Sequence, residues 1–368
     1  MKLKIIVDQN MPLVAELFAE YGDIQLLAGR DIKRRHLLDA DVLLVRSVTR
    51  VDAELLEGTR VRFVGSATIG TDHIDRDYLD QAGITFAHAP GCNAEAVVQY
   101  DLSVMTRLIP QWQSKTIGII GCGNVGGRLY QRLCELNVDC LVYDPFLTAT
   151  AVPDLTQLDN VLGCDIICLH TPLTHGGPFP TYHLLDLERL RCIEPDTLII
   201  NAGRGAVIDN SALLELFQAG HQFRVALDVW ETEPVINRDL MGYVAMATPH
   251  IAGYSHEGKV NGTKMVFEAF AQWAGLAVAK DRGAENTQPR PLLCKSVNQA
   301  ILQSYDVAED HQHMVEAMAA SGSEQRDIAQ TFDRLRRDYP IRREFSYYGI
   351  DSATENLTQY RSLGFTIV

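Results

Sequence analysis

The chain has 368 residues and a formal net charge of −14, with 46% hydrophobic and 22% charged residues. The length suggests two or three domains, the balance of residues is that of a globular protein, and the acidic excess argues against general affinity for nucleic acid or an anionic membrane. The opening Met1-Lys-Leu-Lys-Ile-Ile-Val-Asp8 is too short an apolar run for a signal peptide, and no stretch reaches the roughly 18 apolar residues of a membrane span, so a cytoplasmic protein is expected. None of the eight cysteines forms a C-x-x-C pair, and Cys122, Cys140 and Cys168 sit in or beside apolar runs, so neither metal nor disulfide is expected.

From Met1 to Pro90, short apolar runs at Ile5–Val7, Ile24–Leu27, Val42–Val45, Val61–Val64 and Ile84–Phe86 alternate with helical stretches. Runs apolar throughout, not alternating, predict strands covered on both faces and therefore a parallel sheet. Arg46-Ser47 and Gly65-Ser66-Ala67-Thr68 follow two of these strands, where open parallel sheets collect ligands, although turn chemistry explains them equally well. Asn93 can cap a long helix with Val98, Leu102, Met105, Ile109 and Trp112 along one face.

The next stretch, Lys115–Asp144, places Gly121, Gly123 and Gly126 at G-x-G-x-x-G spacing directly after the strand Ile117–Ile120. Such glycines let backbone approach a pyrophosphate, and the first N–H groups of the following helix, at Asn124 and Val125, point at it with the positive end of the helix dipole. Asp144 ends the second strand about 20 residues on, where a carboxylate accepts from ribose hydroxyls and repels a 2′-phosphate. Pro145 and Phe146 follow with no basic residue, which favours NAD over NADP.

Strands are then expected near Ile166–Leu169, Leu198–Ile200, Val225–Leu227 and Val244–Ala247, with Asn210 or Asp209 capping one helix that Gly220 ends. A helical run from Ser255 to Gly275 carries Val266, Phe270 and Trp273 on one face and reads as a return to the first domain. The stretch from Asp281 to Pro291 reads as a linker. Beyond it lie helix-like segments around Leu292–Tyr305 and Glu324–Arg337, a strand-like Glu344–Tyr348 and a final Phe365–Val368. This terminal piece carries no motif, which favours assembly over chemistry.

Three strand-end loops place polar residues. Arg204, between two glycines after an apolar strand, suits a carboxylate because its planar guanidinium makes two parallel hydrogen bonds; a surface turn is the alternative. Glu233 and His250 can form a couple in which the carboxylate fixes the tautomer of an imidazole that takes a hydroxyl proton, although a lone histidine is more often structural. His170 is placed near the cofactor, His73 reads as part of a turn, and His36, His311 and His313 read as solvated.

Asn201-Ala-Gly-Arg-Gly205, Leu227-Asp-Val-Trp-Glu231 and Thr248-Pro-His-Ile-Ala-Gly253, after Gly121-Cys-Gly-Asn-Val-Gly126, resemble the D-isomer-specific 2-hydroxyacid dehydrogenase family. The resemblance implies that Arg204 binds the substrate carboxylate and C2 oxygen, that His250 is the acid/base and that Glu233 orients it. It also implies that Asp228, Thr171 and the backbone of Ala202, Gly203 and Gly253 lie at NAD. Further motifs, Val7-Asp-Gln-Asn-Met-Pro12, Val45-Arg-Ser-Val-Thr49, Gly70-Thr-Asp-His-Ile-Asp75, Pro90-Gly-Cys-Asn-Ala94, Pro249–Tyr254 and Glu257-Gly-Lys259, narrow the likeness to a branch acting on a small phosphorylated hydroxyacid. By that likeness Ser47, Thr68 and Tyr254 contact substrate and the tail is a homodimerisation domain. The substrate phosphate needs donors at its far end and is assigned to the loops at Arg46-Ser47 and Thr68, with help from tail arginines such as Arg342 or Arg343 of either subunit.

The expected fold is α/β: two doubly wound parallel-sheet (Rossmann-like) domains with a small C-terminal α+β dimerisation domain. Their expected extents are 1–93 plus 255–280 for substrate, 94–254 for NAD and 281–368 for dimerisation, with the substrate between the first two. Two rival readings stay open: another phosphorylated hydroxyacid such as 3-phosphoglycerate, and an NAD-sensing scaffold like the corepressors of this fold, which the absence of a disordered tail and a basic face disfavours.

Overall fold

A computed structural model describes residues 2–276 and 288–368. The linker expected over 281–291 therefore falls mostly outside the described residues. Two compact units form: one takes the chain up to Asn93 and the helix that begins after Ser255, the other takes Ala94–Tyr254 and Gln288–Val368.

In the first unit, β1 (Leu3–Asp8), β2 (Gly22–Leu27), β3 (Val42–Val45), β4 (Phe63–Ser66) and β5 (Thr85–His88) pair in parallel in the order β2-β1-β3-β4-β5. All of β3 and β4 is buried, as uninterrupted apolar runs require. The helix His256–Trp273 opens on Ser255, whose Oγ accepts from Gly258 N at 2.8 Å. It lays Val266, Phe267 and Phe270 against Phe18 and Phe63, with the Phe18 and Phe267 rings 5.1 Å apart edge to face. Each buried phenylalanine contributes roughly 1.5–3 kcal/mol, so the return of the chain to this unit is a packing requirement.

In the second unit, β6 (Ile117–Ile120), β7 (Cys140–Tyr143), β8 (Ile166–Leu169), β9 (Leu198–Asn201), β10 (Arg224–Leu227) and β11 (Met246–Ala247) pair in parallel as β11-β10-β9-β8-β6-β7. The order reverses at β6, whose neighbours are β7 and β8, and a ligand crevice opens at the carboxyl ends there. Asp209, not Asn210, caps the helix Asn210–Gln218, accepting from Ser211 N and Ala212 N.

Residues 288–368 pack as part of this same unit. Met314, Met318, Ile328 and Phe332 join the cluster that contains Ile120, Leu227 and Trp230, while Ile301, Phe345, Ile350 and Leu363 join the one that contains Val98, Leu102 and Leu129. The helix Ala94–Leu108 is consequently buried nearly all round, not on one stripe. Two of its polar side chains face the tail: Gln99 Nε2 donates to Arg343 O at 3.1 Å, and Ser103 Oγ donates to Tyr305 O at 2.9 Å. Within the tail, β12 (Arg290–Leu292), β13 (Tyr348–Ile350) and β14 (Thr366–Ile367) form a parallel sheet, and the helix Val307–Ala320 is one that the sequence reading does not include. Among the described residues no helix is long and apolar enough to cross a membrane.

Candidate active site

The fingerprint turn is built by close approach. A Cβ on Gly126 would stand 1.9 Å from Gly121 O, and Gly121 itself has φ +89°, so both positions require glycine. Around Gly123 nothing lies within 4 Å of a Cβ position, which leaves its exposed backbone and the adjoining Asn124 and Val125 open to a ligand. Asp144 closes the turn: its Oδ2 accepts from Cys122 N at 2.9 Å and its Oδ1 from Phe146 N at 3.0 Å. Burial, with Asp144 beside it, pushes the Cys122 thiol up to about 11, so it is a packing group and not a nucleophile at neutral pH. Thr171 stands against Gly121, and its Oγ1 is buried without a hydrogen-bond partner among the described residues. A buried orphan hydroxyl beside an open glycine turn and a strand-end carboxylate fits a dinucleotide.

His170, placed near the cofactor by its position, is instead turned inward. Its side chain and that of Asp101 are wholly buried, with Nε2 3.1 Å from Asp101 Oδ2 but without hydrogen-bond geometry. Burial raises the Asp101 carboxyl, against the pull of His170. The His170 N–H extends the pairing of β8 with β6, donating to Ile120 O at 2.8 Å.

After β9, Asn201 organises the arginine loop: its Oδ1 accepts from Gly203 N at 3.1 Å and its Nδ2 donates to Arg204 O at 3.0 Å. Ala202 lies half-buried in this turn. Arg204 Nη1 donates to Gly203 O at 2.8 Å. A Cβ on Gly205 would stand 2.0 Å from Trp230 C, so the arginine loop rests directly on the loop after β10.

The loop after β11 is folded around Asp228, which is 1% exposed. Its Oδ1 accepts from Thr248 Oγ1 at 2.7 Å and from Ile251 N at 2.8 Å, and its Oδ2 from Ala252 N at 2.9 Å. Tyr100 Oη lies 2.9 Å from Thr248 Oγ1, and Trp230 Nε1 donates to Thr248 O at 3.0 Å. Burial, then the Asp228 charge, drives the Tyr100 phenol well above its usual range, so it stays a donor. This framework holds His250 at φ +56°, with its N donating to Asp228 O at 2.7 Å.

The His250 imidazole meets Glu233 squarely. Nδ1 lies 3.0 Å from both carboxylate oxygens, and the two side chains keep 33% and 23% exposure. A bidentate carboxylate on Nδ1 fixes the proton there and turns Nε2 into the acceptor. Tyr254, four residues on, is half-buried and receives a hydrogen bond at 3.1 Å from Arg336 Nη2 of the tail.

Other expected residues are placed as follows. Ser47 is on an exposed turn, and the Thr68 hydroxyl lies 2.7 Å from Ser66 Oγ and donates to Gly70 O at 2.8 Å. His73 is more than a turn residue, with Nε2 2.9 Å from Ser66 Oγ. Arg342 is not available to a phosphate: it is 6% exposed, donates to Ala252 O and Ala96 O, and stacks 4.3 Å over Tyr305. The guanidinium of Arg343 lies 3.9 Å over the Tyr347 ring. His311 is not solvated; its Nδ1 accepts from Ala247 N at 3.0 Å, and burial lowers its pKa.

Although no metal is expected, among the described residues two groups of ligand-type atoms converge within 4.8 Å, Cys134 with Cys140 and Asp154, and His183 with Asp209 and Glu231. The second has a structural account. His183 Nε2 lies 2.7 Å from Glu231 Oε1 and Nδ1 lies 3.4 Å from Asp209, while its backbone N donates to Ala206 O, which ties the loop after β8 to the arginine loop.

Residues 95–252 match the family model described as D-isomer specific 2-hydroxyacid dehydrogenase, NAD binding domain, and residues 288–364 match a domain of unknown function. An erythronate-4-phosphate dehydrogenase of Teredinibacter turnerae is 45% identical, the alignment covering 99% of both chains. The chain belongs to the erythronate-4-phosphate dehydrogenase family. A second relative of that name, from Cellvibrio japonicus, is 46% identical over 95% of this chain and 94% of its own. The fold is also that of the NAD-bound 3-phosphoglycerate dehydrogenase of Entamoeba histolytica, with TM-score 0.65 and 23% identity over 77% of this chain and 99% of that one. D-Lactate dehydrogenase of Aquifex aeolicus, complexed with NAD and lactic acid, gives TM-score 0.63 and 23% identity over 74% and 96%. The protein is thus an NAD-dependent oxidoreductase of the 2-hydroxyacid type, with the α/β architecture expected of it.

Proposed function

We propose that this protein oxidises 4-phospho-D-erythronate at C2 to (R)-3-hydroxy-2-oxo-4-phosphooxybutanoate, a step of pyridoxal 5′-phosphate biosynthesis, in the cytoplasm. The observation that carries the chemistry is the Glu233 carboxylate 3.0 Å from His250 Nδ1 by both oxygens. With Nδ1 protonated, Nε2 accepts the 2-hydroxyl proton, and Glu233 stabilises the imidazolium that forms. Arg204 takes the substrate carboxylate and the C2 oxygen. NAD, when bound, accepts the hydride from C2.

The dinucleotide rests on Gly121, Gly123, Asn124, Val125 and Gly126, with its ribose on Asp144 and further contacts from Thr171, Ala202, Gly203 and Gly253. A carboxylate offers about four acceptor sites. Asp228 spends three of them on the loop after β11, which leaves one for a cofactor amide. Ser47, Thr68 and Tyr254 contact substrate. The chain works as a homodimer through its tail, a reading supported by the exposure of Leu293 (89%) and Ile341 (81%) there.

Mixing protein and NAD with 4-phosphoerythronate, 3-phosphoglycerate or D-lactate and following NADH fluorescence tests the substrate. The first acid is expected to turn over about tenfold or more faster than the others, the scale on which one hydroxymethylene unit is discriminated. Faster turnover of 3-phosphoglycerate, or none of any acid, overturns the reading.

A further inference from the structure

Helix Gln325–Arg337 belongs to the tail, the segment read from sequence as an assembly module. Its residues Ile328, Thr331 and Phe332 are buried, which fixes how it lies on the sheet and carries Arg336 inward. There the guanidinium donates from Nη2 to Tyr254 Oη at 3.1 Å and stands 5.6 Å over the Tyr254 ring and 5.9 Å over that of Phe332. Its Nε is buried with no hydrogen-bond partner among the described residues.

The nearest charged groups to bear on this cation come from the loop after β10, which carries Asp228 and Glu233. Tyr254 lies on the loop after β11, and Tyr339, beyond the helix, packs its ring 6.0 Å from that of Tyr254. Burial works against the charge of Arg336, while Tyr254, Glu233 and Asp228 more than restore it, so the guanidinium stays cationic throughout the working pH range.

We propose that Arg336 is a positioning residue of the loop that carries His250: it pins the Tyr254 hydroxyl by a hydrogen bond and the Tyr254 ring by its stacked guanidinium. The tail thereby takes part in catalysis within its own chain. The hydrogen bond and the ring stack together hold the Tyr254 side chain in place, and Tyr254 follows His250 by four residues. The inference rests on the assignment of His250 as the base.

The test is the split between kcat and KM for NAD-dependent oxidation in Arg336→Met, Arg336→Lys, Tyr254→Phe, the Arg336→Met/Tyr254→Phe double variant and His250→Asn, with NADH binding as the check on folding. Arg336→Met is expected to raise KM for the acid about tenfold as Tyr254 is released, with NADH affinity within about twofold of the parent. Arg336→Lys is expected to leave KM raised, because an ammonium does not reproduce the planar stack, and in the Tyr254→Phe background Arg336→Met is expected to add less than about twofold, since the two residues act as one unit. An unmoved KM in both Arg336 variants overturns the proposal, and so does an Arg336→Met effect that is undiminished in the Tyr254→Phe background. If instead His250→Asn keeps the parental rate, the assignment of the base has failed and not the role of Arg336 alone.

Discussion

The sheet β1–β5 and the first five strands of β6–β11 are wound alike, each with its second strand at one edge, its first beside it and the later strands following in order. The loop after β4 and the loops of the second sheet differ in how their polar groups are used. After β4 the side chains satisfy one another: His73 reaches Ser66, Ser66 reaches Thr68, and Thr68 donates to Gly70 O. After β6, β8, β9, β10 and β11 the loops hold a glycine turn open, leave the Thr171 hydroxyl unpaired and set a carboxylate on one nitrogen of an imidazole. A winding order that collects loops at one edge supplies places for chemistry; uncommitted donors and acceptors supply the chemistry itself.

The sharpest way to break this contrast is to add one methyl group to a glycine of each sheet. Gly205→Ala drives a Cβ onto Trp230 C, where only backbone can yield. The loop bearing Glu233 must shift, and displacement on the order of 1 Å costs about 100-fold in kcat; a kcat within threefold of the parent removes the loop-on-loop contact from the account. Asp144→Ala tests the cofactor end, where roughly a tenfold shift of the NAD-to-NADP preference toward NADP is expected from loss of the ribose acceptor, and an unchanged ratio counts against that role. Gly65→Ala in β4 is the matching change in the first sheet. Its Cβ meets Val266 Cγ1 at 2.4 Å, a side chain that can rotate, so stability is expected to fall by about 1–3 kcal/mol in denaturant titration with kcat of the folded protein unchanged.

The smallest effect concerns pH. His311 accepts the Ala247 N–H and is held below its usual value of 6.5 by burial, so it must be neutral to keep that bond. The unfolded chain takes up the proton first as pH falls below 6.5, and the contribution is lost between there and the lower folded value. Thermal melts are expected to show a modest drop over that window that His311→Asn lessens; identical pH dependence in the two proteins refutes it.

Most of both sheets was legible in the sequence because four-residue runs such as Val42–Val45 and Ile166–Leu169 are apolar at every position and bounded by polar turns, a pattern that buried parallel strands require. The fingerprint, Asp144, Arg204 and the Glu233–His250 pair were legible because each follows such a run directly. What the sequence did not show is burial created at long range. Met314 and Met318 lie four apart in a helix otherwise rich in polar residues, and Arg336, Arg342 and His311 look solvated in any local window. They are buried because the tail folds onto the second sheet, and that placement depends on Ile328, Phe332 and the underside of β6–β11 together. The inward turn of His170 toward Asp101 is of the same kind, since its partner lies on a helix formed well before it in the chain.

The most direct measurement of the central claim is single-turnover NADH formation with 4-phosphoerythronate in His250→Asn, alongside NADH affinity of the same protein. The account predicts a rate lowered about 1,000-fold or more, with NADH bound as tightly as by the parent. A rate within tenfold of the parent contradicts it, because the proton would then be leaving through some other group.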